Sequence, residues 1–244
     1  MREFDLVRDR SEWLIRFGCV YVEHERTRSN VVVSNGQYLR IHLDPKRYPV
    51  EEVGWRSAIV HEDEAFIVIR KPAIIPVHPT VDNYSENALY QLSAMMGVRL
   101  FTTQRLDTEV SGLMVFAKSV EFQRRFNDLL SERAVRKHYR ALVRTVPALG
   151  RHVHYMTRSA RAPKTVTTTP GSDSLECALS IVQVKPLQNV FEVEIQLETG
   201  RTHQMPALHP LTLRRLFGCL FLPSRRGSSD RRQLQWFFLR EPGR

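Results

Sequence analysis

Apolar positions along this chain recur in two periods, and the switches between them mark out its elements. Residues Val190–Leu197 read Val-Phe-Glu-Val-Glu-Ile-Gln-Leu, apolar at every second place, which predicts a strand with one buried face. Leu175–Val184 precedes it across the polar break Lys185–Asn189, so the two form an expected antiparallel pair. Phe122, Phe126, Leu129 and Leu130 recur at helical spacing and predict an amphipathic helix. Leu89, Leu92 and Met96 predict another, capped at Ser85 and ended by Gly97. Ala65–Ile69, Leu113–Ala117 and Tyr139–Val146 read as strands, and Arg158–Ser174, rich in Thr, Ser and Pro, as a loop.

Residues 1–44 read as a small opening unit. Ser11–Gly18 is the end of a short helix with Gly18 as a left-handed cap. Val20–Val22, Asn30–Val33 and Tyr38–His42 follow as β-prone runs, with Asn35-Gly36 turning between the last two. Pro45 and Pro49 mark a linker, and the main body begins near Ala58. No internal repeat is present, and the order of elements points to the α+β class. Beyond Gln204, Pro206 and Pro210 interrupt any helix. The arginine-rich remainder keeps neither period, so it does not read as a packed final element.

Composition narrows the function classes. A chain of 244 residues with 42% hydrophobic and 25% charged residues fits a globular protein with a sizeable core. No apolar run approaches the ~20 residues needed to span a bilayer, and the start carries no export signal. The expectation is therefore no membrane partner and a protein that is not secreted. Cys19, Cys177 and Cys219 are odd in number and far apart, which suggests neither a disulfide framework nor a zinc site. The formal net charge of +10 permits a polyanionic partner. Its spread is uneven: Leu211–Arg244 holds eight arginines against Asp230 and Glu241, and so carries +6 of it.

Three polar segments could bear chemistry. In Gln104–Gly112, Arg105 and Asp107 sit on a glycine-bearing turn at a strand's start, where a carboxylate can be positioned as a nucleophile; an ordinary surface ion pair has the same spacing. Glu198–Gln204 gathers Arg201, Thr202, His203 and Gln204, all able to contact a phosphate or a base edge, or to form a plain polar turn. Arg136–Arg140 sets Tyr139 among basic side chains including Lys137, which suits a nucleic-acid groove or a charged edge strand. A hydrolase using Asp107 and Glu109 has little support, since carboxylates two apart on an extended segment face opposite ways.

Taken together, the identity, order and separation of these segments resemble the RluA-type family of RNA pseudouridine synthases. Gln104-Arg-Leu-Asp107 leads into Ser111–Lys118; Lys137-His-Tyr-Arg-Ala-Leu-Val143 and Thr199–Gln204 follow, and Lys71–Pro79 resembles the family's Lys-Pro loop upstream. Residues 1–44 resemble the small αL RNA-binding module often placed ahead of that domain, with its first helix missing. The resemblance implies an α+β fold with a mixed, largely antiparallel sheet and flanking helices. It implies a catalytic domain over 58–204, incomplete at its C-terminal end, and an atypical arginine-rich tail over 205–244. It further implies isomerisation of uridine in tRNA or rRNA with no metal or other cofactor, by a monomer in the cytoplasm or an organelle. Asp107, Tyr139 and Arg201 would be catalytic: Asp107 acting at the sugar C1′, Tyr139 lying against the base, and Arg201 pairing with Asp107. Arg105, Lys137, His203 and Gln204 would bind RNA, with Arg105 filling the space left by the flipped uridine. Gln104, Val110 and Ile74 stand where the family commonly has His, Thr and Gly, changes that touch substrate fit rather than the reacting groups. The departure from the family at Met205 motivates a second expectation, an RNA-binding protein on the same scaffold with impaired catalysis.

Overall fold

The computed structural model describes residues 7–158 and 166–200, and the backbone of 215–221. At the N-terminus, α1 (Arg8–Phe17) ends at Gly18, whose φ of 84° is left-handed. A side chain at Gly18 would also meet the Tyr84 Cβ at 2.6 Å, so this position needs glycine twice over. Strand β1 (Val20–Val22) lies between β2 (Glu25–Thr27) and β3 (Leu39–Ile41), antiparallel to both. The strand expected at Asn30–Val33 is not there. The two-residue turn Glu23-His24, both at positive φ, folds Glu25–Thr27 back onto β1 first, and Val32 is left 95% exposed.

The segment after Pro45 is tied down rather than loose. Tyr48, Val50 and Trp55 are buried, and the buried carboxylate of Glu86 accepts hydrogen bonds from the Arg47 guanidinium and the Tyr48 N–H. Helix α2 (Trp55–Ala58) then enters the main body.

That body is one ten-stranded sheet built from β4 (Ile59–Glu62), β5 (Phe66–Lys71), β6 (Phe101–Thr102), β7 (Ser111–Ala117), β8 (Arg136–Val143), β9 (Gly150–Thr157), β10 (Val166–Thr167), β11 (Ser174–Leu187), β12 (Val190–Leu197) and β13 (Arg215–Phe221). Its order is β10-β9-β11-β12-β8-β13-β7-β5-β4, with β6 beside β7. Every pairing is antiparallel except β13 with β7, so the sheet is mixed and largely antiparallel, as expected. Helix α3 (Ala88–Met96) covers one face of β5 and β7 through Ala88, Leu92, Ile67, Ile69, Met114 and Phe116. Helix α4 (Val120–Ser131) covers the other through Phe126, against Val115 and Val135. Being covered on both faces explains why β7 is a continuous apolar run.

Four readings are corrected. The cap of α3 is Asn87, whose side chain accepts the Tyr90 N–H at 2.9 Å, and not Ser85. Strand β9 lies where no strand was expected; paired to β11 over eight positions, it is fixed by its partner rather than by its own weak pattern. The Arg136–Arg140 segment is no charged edge, because β8 runs inside the sheet between β12 and β13. Residues Arg215–Phe221, which keep no sustained period, form the strand that joins the two parts of the sheet.

Candidate active site

The segment 103–110 is pinned to the core at three points. Thr103 is buried and donates its hydroxyl to the Val115 carbonyl at 2.7 Å. Leu106 packs against both large core clusters, and Val110 is buried in one of them. Asp107 directly follows Leu106 and closes a turn, with its carbonyl accepting the Val110 N–H at 3.0 Å. Asp107 is half-buried, while Arg105 and Glu109 are exposed. Because 107–110 is a turn rather than an extended run, Asp107 and Glu109 are not on opposite faces; both carboxylates act electrostatically on Lys71.

Among the described residues, Lys71 is the largest charged side chain in the interior, at 0% exposure. Its Nζ donates to the carbonyls of Pro72 (2.8 Å), Ile75 (2.7 Å) and Thr108 (3.3 Å). One ammonium therefore ties the Lys-Pro loop to the residue next to Asp107. Burial pushes its pKa down to about 8, with Glu109 and Asp107 pulling it back up. Three carbonyl acceptors also favour the charged form, so a cation remains at neutral pH.

Tyr139 completes the arrangement. Its hydroxyl is pushed up to about 12, first by burial and then by the charge of Asp107. It packs beside Leu106 on the cluster formed by Val110, Ala141 and Ile195. Across the strands, Tyr139 is opposite Gly218, Gly218 opposite Gly112, and Gly112 opposite Lys71. At a strand spacing of about 4.8 Å, Tyr139 and Lys71 stand about 14 Å apart along this row. The two positions between them carry no side chain. The charge of Asp107 raises the pKa of the groups at both ends of this row.

Lys137, two residues before Tyr139, is half-buried, and burial lowers its pKa. A Cβ placed on Gly200 would lie 2.6 Å from its Nζ, so Lys137 backs the Thr199-Gly200 turn. That turn is fixed by Thr199, whose buried hydroxyl accepts the Ala178 N–H at 2.8 Å. His78, on the Lys-Pro loop, is held below the usual histidine range by burial and then by the charge of Arg105.

Of the residues singled out from sequence, Tyr139 packs on the same cluster as Leu106, which precedes Asp107, Arg105 is exposed, and Lys137 lies against Gly200. Arg201, His203 and Gln204 lie outside the described residues. Two features escaped the sequence reading. Lys71 has a visible signal, since Ile67, Ile69 and Lys71 alternate on one buried face. The glycine pair has none, because Gly112 and Gly218 meet only through a long-range register. Among the described residues no group of three or more His, Cys, Asp or Glu is placed to hold a metal ion. An open depression of about 150 Å³ lined by Glu12, Ile15, Arg16, Arg28, Ser29 and Asn30 belongs to the N-terminal unit and includes none of these site residues.

Comparison with known proteins bears on this geometry. Residues 65–207 match the family described as RNA pseudouridylate synthase. A rice (Oryza sativa subsp. japonica) protein named RNA pseudouridine synthase 6, chloroplastic, is 29% identical over 205 residues, covering 74% of this chain and 43% of that protein. A Neisseria meningitidis serogroup A protein named Ribosomal large subunit pseudouridine synthase D is 31% identical over 230 residues, covering 85% of this chain and 59% of that one. The chain thus spans about half the length of these relatives. A solved human structure, RNA Pseudouridylate Synthase Domain Containing 1, shares the fold with a TM-score of 0.52 at 18% identity, over 68% of this chain and 78% of that one. No described helix is long and apolar enough to cross a membrane.

Proposed function

This chain belongs to the RNA pseudouridylate synthase family, and we propose that it isomerises uridine to pseudouridine in structured tRNA or rRNA through Asp107. The observation that supports this most is the half-buried Asp107, whose neighbour Thr108 is fastened to Lys71, beside a sheet row in which only Gly112 and Gly218 separate Lys71 from Tyr139. A flat base needs such a floor, and a glycosidic carbon needs a carboxylate held at one place.

In this reading the uridine leaves the RNA stack and its base lies on the Gly112–Gly218 floor against the Tyr139 ring. A carboxylate oxygen of Asp107 attacks C1′. The N1–C1′ bond breaks, and its electron pair leaves on N1 of uracil. The base turns in place, and C5 bonds to C1′ as the ester to Asp107 breaks. The proton on C5 is then lost and N1 gains one, so the product has the atoms of the substrate and needs no cofactor. Tyr139, with its hydroxyl at about 12, stays protonated at neutral pH and acts as a ring wall and hydrogen-bond donor near the proton transfer. Lys71 touches no substrate; it positions Asp107 by holding the Thr108 carbonyl.

Arg201 pairs with Asp107, Arg105 occupies the vacated place in the stack, and Lys137, His203 and Gln204 contact the RNA. Residues 58–204 carry the reacting groups, 1–44 are an RNA-binding module, and 205–244 are an arginine-rich stretch that lends β13 to the catalytic sheet. The chain acts as a monomer in the cytoplasm or an organelle. Release of tritium from bulk RNA labelled at uridine C5 tests the activity: it should occur with this chain and stop for Asp107→Ala. RNA binding without release would favour a binding protein on this scaffold.

A further inference from the structure

Four non-glycine residues among those described have positive φ: Glu23, His24, Ile74 and Arg133. Ile74 alone is β-branched, and at φ 60° its Cβ crowds the backbone. Glycine would hold the same turn without strain.

The turn does not depend on the isoleucine side chain. On one flank the Lys71 ammonium holds the carbonyls of Pro72 and Ile75. On the other, the Pro76 and Val77 carbonyls accept the Ala88 and Leu89 N–H groups at the start of α3. Ile75, Pro76 and Val77 are buried, and Pro72 and Pro76 restrict the residues before them. The backbone at 73–74 is thereby imposed from both sides. The Ile74 side chain, by contrast, points outward with the residue 51% exposed, next to the exposed Ala73. Strain kept at a residue whose apolar side chain is half in water is a reason to look for a role outside the fold's own packing.

Its neighbours say what. Through Lys71, the Ile75 carbonyl shares one nitrogen with the Thr108 carbonyl, beside Asp107. His78, later on the same loop, is close enough to Arg105 to feel its charge. Resting on the function proposed above, we infer that Ile74 is an apolar wedge of the RNA site, packing on the part of the neighbouring base that Arg105 leaves uncovered when the uridine is flipped. Apolar side chains are suited to this, since a base face that has lost its stacking neighbour is an apolar surface in water.

The test is binding and turnover of unmodified in vitro transcribed tRNA and rRNA by Ile74→Gly, Ile74→Asn and Ile74→Leu. Glycine and asparagine both tolerate the turn but remove the apolar surface. They should weaken RNA binding about fivefold, which is the affinity carried by burying the exposed half of an isoleucine. Their KM in tritium release should rise with it, while Ile74→Leu stays near the parent. The thermal midpoint of Ile74→Gly should equal or exceed the parent's, since strain is relieved. Unchanged RNA affinity in Ile74→Gly would overturn the inference. A marked loss of thermal stability would do the same, because the side chain would then be packing material. Binding that depends on Ile74 without any tritium release would overturn the isomerase reading and leave the wedge standing.

Discussion

Lys71 is the residue at which charge, burial and position work against one another. Its pKa is lowered from 10.5 to about 8 because the fold buries it, so between these values the unfolded chain binds more protons than the native one. Stability therefore rises with pH across that window, by at most about 1.4 kcal/mol per pH unit from this residue. Urea unfolding of the parent and Lys71→Met between pH 7.5 and 10 should show the parent gaining on the variant; a constant difference would mean that Lys71 is not burdened by burial. The same substitution frees the Thr108 carbonyl, so activity should fall even where the variant remains folded. Tyr139→Phe separates ring from hydroxyl. It should keep the fold and RNA affinity but lower kcat by about 10²-fold, the lower range for a group engaged in proton transfer. Of these residues, Asp107 and Tyr139 stand in segments that the sequence already marked as candidates. Lys71 was legible only as part of a loop, since a lysine is ordinarily a surface residue and its burial depends on Ile67 and Ile69 sharing its face.

At the scale of elements, the end of β12 shows how a strand fixes the backbone at which a motif begins. Glu198 and Thr199 both donate their N–H groups to the Ala178 carbonyl, and the Thr199 hydroxyl takes the Ala178 N–H. The chain is thus locked to β11 just before Gly200 and the Arg-Thr-His-Gln run. Thr199→Val leaves the buried Ala178 N–H without that acceptor and should cost about 2 kcal/mol in denaturant unfolding. Gly200→Ala should cost little stability, because the atom it meets is the tip of the flexible Lys137 side chain, yet it should raise KM for RNA. Strands β11 and β12 were plain in the sequence because their alternation is their own. The burial of β12 repeats it, with Val193, Ile195 and Leu197 inside. Strands β9 and β13 were not, because their pairing comes from neighbours distant in sequence.

At the scale of the molecule, β13 is the seam. It lies between β8, which carries Tyr139, and β7, which begins at Ser111 just after the Asp107 turn. Removing residues 201–244 removes that seam, so such a variant should unfold broadly by calorimetry where the full chain unfolds cooperatively. The run Leu216–Phe221 is apolar, but its flanking arginines and lack of period hide its place inside the sheet. The basic excess of the C-terminal stretch should appear instead in RNA binding, as an affinity that falls steeply with salt. The central proposal is that the fold positions Asp107 to exchange a glycosidic bond. Nucleoside analysis of unmodified transcribed RNA, incubated with the parent and with Asp107→Asn, tests that claim most directly. The account predicts pseudouridine appearing as uridine disappears with the parent, and none with an Asp107→Asn variant of equal thermal stability. Equal pseudouridine from both, or none from a folded, RNA-bound parent, would contradict it.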